Sequence, residues 1–177
     1  VQPEGRLLVI WLTPERWKGS APVWSAGLYD GRVRLLVRDP GRNDAGLRAV
    51  MRHELTHAVL HALGGRLPTW LHEGLAQRAE GRDVTSARAA LRAGLPLPTA
   101  EALDGDWTSW TDARQVEAAY AMALSMVESL ESSSGTSALR SLLLAEPALG
   151  FEAAWLKVYA RPYPEWEVEH RAWLMRD

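Results

Sequence analysis

The chain has 177 residues and a formal net charge of −2, with 47% hydrophobic and 24% charged residues. This composition is typical of a folded globular protein and argues against a disordered chain. The slight excess of acidic residues argues against a nucleic-acid-binding protein, which usually carries a basic surplus. Cysteine is absent, which excludes disulfides, thiolate metal ligands and a cysteine nucleophile.

No apolar run approaches the roughly 18–20 residues that a membrane-spanning helix needs, so we expect no membrane segment in this sequence. A signal-peptide pattern is also missing. The sequence leaves the cellular compartment open.

The first part of the chain predicts a small sheet. Residues 6–12 form an apolar run typical of a buried strand, and residues 13–31 are rich in Gly and Pro, which predicts turns. Over residues 32–38, Val33, Leu35 and Val37 alternate mostly with arginines. This alternation predicts a half-buried strand in an antiparallel sheet or at a sheet edge.

The rest of the chain predicts helices. One runs from about 44 to 63, with Asn43 or Asp44 as its N-cap and Gly64-Gly65 as its stop. Loop residues are predicted over 94–111 and a polar break over 132–135. A second helix is predicted at about 70–80, with Thr69 as its cap. Further helices are predicted at about 83–93, 112–131, 136–145, 150–160 and 164–175.

Strands followed by helices predict an α+β fold. We expect one domain over residues 1–177. Residues 1–63 would form a small, mostly antiparallel sheet packed on the first long helix, and residues 64–177 would form a helical lobe.

The first long helix contains the motif His53-Glu54-Leu55-Thr56-His57. On a helix the two histidines lie one turn apart, about 6 Å along the axis, so both can bind one metal ion. Glu54 projects about 100° away and could take a proton from a water on that ion. The alternative is a helix that carries two surface histidines by chance. A predicted core stripe on the opposite face, formed by Met51, Leu55, Ala58 and Ala62, favours the metal site.

A catalytic zinc site uses three protein ligands. His61 lies about 12 Å along the axis from His53, too far to share the ion, and is better explained as a core or rim histidine. Glu73 on the next helix is the better candidate, because the Gly-rich link lets that helix fold back and Gly74 allows close packing. The alternatives are an ordinary first-turn acid at this position and His72 as the third ligand.

The HELTH motif, the short link and Trp70-Leu71-His72-Glu73-Gly74-Leu75-Ala76 resemble the gluzincin metallopeptidases, in particular the small bacterial peptidase-MA-like proteins, or minigluzincins. The resemblance is strongest over residues 50–80. It implies a zincin-like fold and a zinc peptidase with one Zn²⁺ per chain. His53, His57 and Glu73 would hold zinc, and Glu54 would act as general base and then as general acid.

The resemblance also implies a peptide or protein substrate, bound by strand addition at the predicted edge strand near 32–38, with Arg34 and Leu36 as contacts. Gluzincin aminopeptidases hold the substrate amine with a Glu that residues 25–31 lack, so we expect an endopeptidase.

Two further positions are compared with the family. Gluzincins carry Asp four residues after the ligand Glu, whereas this chain has Gln77, whose amide oxygen could accept a histidine N–H. Tyr120 resembles in position a family tyrosine that would stabilise the oxyanion, and the alternative is a core tyrosine. Weaker candidates for the same role are Tyr29, Tyr159 and Tyr163.

Two alternatives to an active peptidase stay open. One is a zinc-containing binding or scaffold module without catalysis, against which the intact Glu54 counts. The other is a latent enzyme whose cleft is blocked. Near the C-terminus, His170 is expected to be exposed, and the charged residues Glu165, Glu167, Glu169 and Arg171 are expected to form a solvated helix face.

Overall fold

The structure is a computed structural model that describes residues 6–18, 25–39, 45–107 and 110–175. A three-stranded sheet and a larger set of helices form an α+β fold, the predicted class. The strands are β1 (Val9–Leu12), β2 (Gly27–Tyr29) and β3 (Val33–Leu36). The helices are α1 (Pro14–Trp17), α2 (Ala45–Ala62), α3 (Thr69–Glu80), α4 (Val84–Arg92), α5 (Ala100–Asp104), α6 (Ala113–Leu149), α7 (Phe151–Tyr159) and α8 (Tyr163–Leu174).

The strand order is β1-β3-β2, so β3 is the central strand. It runs parallel to β1 and antiparallel to β2. The sheet is therefore mixed rather than mostly antiparallel, and the prediction of an edge strand near 32–38 was wrong. The alternation in β3 does report one buried face, since Val33 and Leu35 are fully buried. Alternation distinguishes the two faces of a sheet but carries no information about the neighbours along its hydrogen-bonding direction.

Two segments that were predicted to lack regular structure contain short elements. Residues 13–31 hold α1 and β2, and residues 94–111 hold α5. Both β2 and α5 are too short for a periodic pattern to show, and β2 is stabilised by its pairing with β3.

Helix α2 packs against β2, β3 and α3. Its buried residues are Glu54, Ala58 and Leu60. The predicted core stripe is therefore only partly right, because Ala58 is buried but Ala62 is exposed. Two different faces of α2 are covered, one by the sheet and one by α3, and a single stripe cannot describe them. The proposed caps Asn43 and Asp44 lie outside the described residues.

Helix α3 begins at Thr69, with Pro68 at the N-cap position and no capping side chain. The Thr69 hydroxyl instead donates a hydrogen bond to the backbone oxygen of Asp104 at 3.1 Å, so its predicted capping role was wrong. A residue of α6 binds the link between α2 and α3. The buried carboxylate of Glu146 in α6 accepts a hydrogen bond from the backbone N–H of Arg66 in the link, at 2.9 Å. This contact helps to fold α3 back along α2.

Gly74 allows α3 to pack closely on a neighbour, but that neighbour is α6 and not α2. A Cβ at position 74 would lie 2.6 Å from Val127 Cγ2 and closer still to the Ala123 carbonyl oxygen. Side chains larger than hydrogen are therefore excluded here. The close approach brings the first half of α6 next to Glu73.

Helix α6 is the centre of the helical part. Residues 121–127 are buried on every face of the helix, as expected for a helix with partners all round, and α3, α4 and α7 pack on it. The predicted break at 132–135 is confirmed at Gly135, whose non-helical backbone, with φ 80° and ψ 159°, forms a kink between two helical segments of α6. Within the described ranges, no helix is both long and apolar enough to cross a membrane.

One prediction about α8 was wrong and another only partly right, because Glu165 and Glu169 are exposed as expected but His170 and Glu167 are not. His170 is only 3% exposed and Glu167 only 7%. The His170 ring stacks on Trp166 at 5.3 Å between centroids, and its Nε2 lies 3.4 Å from the Ser125 hydroxyl. Glu167 forms an ion pair with Arg171. Alongside its charged residues, α8 carries a buried stripe at helical spacing, which the sequence analysis did not recognise. The stripe is formed by Tyr163, Trp166, His170 and Leu174.

The burial of His170 predicts a pH-dependent stability. Burial, reinforced by the charges of Arg88 and Arg171, lowers the pKa of His170 to about 4. The unfolded chain takes up this proton near pH 6.5, so the unfolded state binds more protons between pH 6.5 and 4. We expect His170 alone to lower the free energy of unfolding by about 3 kcal/mol as the pH falls through this window.

Urea unfolding of the wild type and of His170→Phe, each at pH 7.5 and pH 4.5 with excess chelator, measures this effect. The wild type should lose about 2.5 kcal/mol more than the variant between the two pH values, which cover most of this window. Equal losses in the two proteins would contradict the assignment, whatever the absolute stability of the variant.

Candidate metal centre

Helices α2 and α3 bring His53, His57 and Glu73 together. One ligand atom from each of the three lies within 4.8 Å of the others, and in the described part of the chain no other three His, Asp or Glu side chains meet this criterion. His53 Nε2 is 3.4 Å from Glu73 Oε2, and His57 Nε2 is 3.6 Å from Glu73 Oε1. The two histidine rings lie 4.9 Å apart between centroids.

These separations fit a tetrahedral zinc ion. Ligand atoms about 2.0–2.1 Å from zinc, at two corners of a tetrahedron, lie about 3.4 Å from each other. Glu73 Oε2 is buried and has no hydrogen-bond partner among the described residues, and a cation would satisfy it. Two imidazoles and one carboxylate also form an established ligand set of catalytic zinc sites. The residues present therefore fit the metal that the sequence predicts.

The protonation of the two histidines differs. Burial, helped by nearby His53 and His72, lowers the pKa of His57 to about 4, although Glu73 opposes this. His57 is therefore neutral, as a metal ligand must be. Burial alone would lower the pKa of His53, but the carboxylates of Glu73 and Glu80 outweigh it and raise that pKa to about 9. A metal ion would have to displace this proton.

Glu54 lies beside this group on the face of α2 that contacts β2, and it is 5% exposed. A Cβ at Gly27 would lie 2.6 Å from Val50 Cγ1 and 2.7 Å from Glu54 Cγ, so a side chain at position 27 would displace the glutamate. Burial raises the pKa of Glu54 to about 7, with Glu73 and Glu80 adding to the rise and His53 opposing it. Such a carboxyl can both accept and donate a proton near neutral pH.

Tyr120 reaches the same site from α6. Tyr120 lines the same cleft as Glu73, and its ring packs edge-on against Trp107 at 5.2 Å between centroids. Burial and the charges of Glu73 and Glu54 raise the pKa of Tyr120, so the hydroxyl stays a donor. Of the weaker tyrosine candidates, Tyr29 lines the cleft, whereas Tyr159 and Tyr163 lie in the helical core.

Gln77 is buried but does not contact a histidine through its amide nitrogen. Its Nε2 donates to the backbone oxygens of Glu73 at 3.3 Å and Tyr120 at 2.9 Å, which ties α3 to α6. The second ring nitrogen of His53 faces Glu80 instead, with Nδ1 3.3 Å from Oε2. Sequence reasoning missed Glu80, although a residue seven positions after Glu73 lies on the same face of the helix.

The site lies in a cleft of about 1130 Å³, which is lined by β2 together with residues of α2, α3, α4 and α6. His61 is an exposed rim histidine beside Tyr29, with ring centroids 5.8 Å apart. His72 stacks on His57 at 6.0 Å but is not part of the three-ligand group.

The structure does not bring Arg34 and Leu36 to the cleft. They lie on β3, whose two edges are both paired within the sheet. The predicted strand addition at residues 32–38 is therefore wrong, because no peptide can pair with a central strand. The strand that lines the cleft is β2.

Comparisons of this sequence and structure with known protein families, curated proteins and solved structures found no match.

Proposed function

We propose that this chain is a zinc-dependent endopeptidase of the gluzincin kind, with a zincin-like fold. The observation that carries the proposal is the convergence of His53, His57 and Glu73 at one point, with the buried carboxyl of Glu54 beside them in an open cleft. A site that served structure alone would have no use for a buried carboxyl that lines the cleft beside the metal ligands.

The proposed mechanism assigns each residue one task. His53, His57 and Glu73 hold the metal, and zinc when bound supplies a Lewis acid that makes water nucleophilic near neutral pH. Glu54 accepts the proton of the attacking water and then delivers it to the leaving amine. The Tyr120 hydroxyl donates a hydrogen bond to the carbonyl oxygen of the substrate as negative charge develops there.

The proposed substrate is an extended peptide. Among the described residues, β2 pairs only with β3, so its other edge is free to accept a strand, and β2 lines the cleft. A peptide beside β2 would pass Glu54, because Gly27 contacts that side chain. The cleft volume of about 1130 Å³ exceeds the range of about 300–1,000 Å³ that small-molecule sites occupy.

Zinc analysis combined with chelation tests this proposal. We expect one zinc per chain, cleavage of an unbiased peptide library, and loss of cleavage on chelation that zinc restores. The fold should survive chelation, since none of the three ligands belongs to the hydrophobic core around α6. Unfolding on chelation would favour a structural zinc, and cleavage that chelators leave unchanged would overturn the proposal.

A further inference from the structure

Glu80 occupies the place where a metal-bound histidine needs a hydrogen-bond acceptor. When an imidazole binds a metal through one nitrogen, the other N–H is nearly always held by a carboxylate, a carbonyl or water. His53 directs Nε2 towards Glu73, and its Nδ1 lies 3.3 Å from Glu80 Oε2. The side chain of Glu80 is 11% exposed, so this contact is largely shielded from solvent.

The carboxylate of Glu80 is itself held in place. Arg82 Nη2 lies 3.0 Å from Glu80 Oε1, the oxygen that does not face the histidine. Arg82 therefore leaves Oε2 free for His53. The result is a chain of contacts that runs from Arg82 through Glu80 to His53.

The backbone of Glu80 is fixed by the residue that precedes the first histidine. Arg52 donates from Nε to the Ala79 oxygen and from Nη2 to the Glu80 oxygen, both at 2.9 Å. These carbonyls end α3 and have no partner within the helix. Two consecutive residues of α2 therefore contact Glu80. The Arg52 side chain binds the Glu80 backbone oxygen, and the His53 ring contacts the Glu80 carboxylate.

We propose that Glu80 is the positioning residue of the metal site, setting the tautomer and ring orientation of His53 through Nδ1, and that Arg82 holds Glu80 for this task. The proposal rests on the proposed zinc site. It places the orienting carboxylate seven residues after Glu73. The residue four positions after Glu73 is Gln77, whose amide nitrogen donates hydrogen bonds to two backbone oxygens.

The test is the zinc affinity of the full chain, measured by competition with a chromophoric chelator. We expect Glu80→Ala to weaken zinc binding by about 10- to 100-fold. Glu80→Gln should have a smaller effect, because the amide oxygen still accepts a hydrogen bond but carries no charge. Glu131→Gln is the matched control, since Glu131 is paired with Arg78 at 2.9 Å and stands outside the metal site. Its affinity should equal that of the wild type.

A second measurement separates positioning from general stability. In the zinc-loaded wild type, the His53 Nδ1 proton should give a slowly exchanging NMR signal, and Glu80→Ala should lose it. If Glu80→Ala fails to fold, the zinc affinity of Glu80→Gln, which lacks only the charge, is compared with that of the wild type instead. Wild-type affinity and an unchanged proton signal in these variants would overturn the role of Glu80. Absence of zinc binding by the wild type would instead overturn the proposed function.

Discussion

Glu54→Gln is expected to retain one zinc per chain and to lose peptide hydrolysis by about 10²- to 10⁴-fold, the usual contribution of a positioned general base. The glutamine has the same shape and fits the same buried space beside Gly27. It has no basic oxygen for the proton of water and no proton to return to the leaving amine. Since Glu54 is not among the three clustered ligands, metal content should not change.

The measurement is the turnover of a peptide identified from the library, with zinc content and thermal unfolding determined on the same samples. Glu131→Gln, which removes a carboxylate charge away from the cleft, should keep wild-type turnover. Wild-type turnover by Glu54→Gln would rule out the proposed role of Glu54. Reduced zinc content in that variant would place Glu54 in the ligand set instead.

Glu73→Ala should weaken zinc binding by at least about 1,000-fold, more than the 10- to 100-fold effect of losing an outer hydrogen-bond partner. Glu73 contacts both histidines, at 3.4 Å and 3.6 Å. Without it, two neutral donors are left to hold a dication. The change also removes a buried carboxylate, so Glu73→Gln serves as a second variant that preserves shape.

His72→Ala is the natural control for this experiment. His72 is adjacent in sequence, stacks on His57 and was the rival third ligand, but it stands outside the three-ligand group. Its substitution should leave zinc affinity within about threefold of the wild type. The reverse order of effects, with His72→Ala the more damaging, would reassign the third ligand.

Sequence reasoning was most successful where one helix contains all the information. The spacing of His53 and His57 places both rings on one side of α2 whatever surrounds it, because 3.6 residues per turn is a local property. The helices α3, α4, α7 and α8 were predicted within about two residues of their bounds, since caps and breakers are also local signals.

Sequence reasoning failed where the answer depends on which surfaces meet. The alternation of Val33 and Leu35 correctly indicated a buried face, but only the pairing of β1 and β2 shows that β3 is central. His170 has charged neighbours in sequence and a buried environment in space. The central position of β3 could not be predicted from a local pattern, because partners across a sheet are distant in the chain. The burial of His170 did have a local signal, the helical spacing of Tyr163, Trp166 and Leu174, which its charged neighbours outweighed in our prediction.

The sequence alone placed two imidazoles one helical turn apart with an adjacent glutamate, and the proposed chemistry of the candidate site starts from these local facts. Tertiary structure decided what surrounds that chemistry. It placed Glu73 next to both histidines and Glu80 next to His53. It also packed β2 against Glu54 and left one edge of β2 unpaired among the described residues. Each of these depends on the packing of α2 against α3 and the sheet. Such packing is the joint result of many weak contacts between residues far apart in the chain, which a reading of neighbouring residues does not contain.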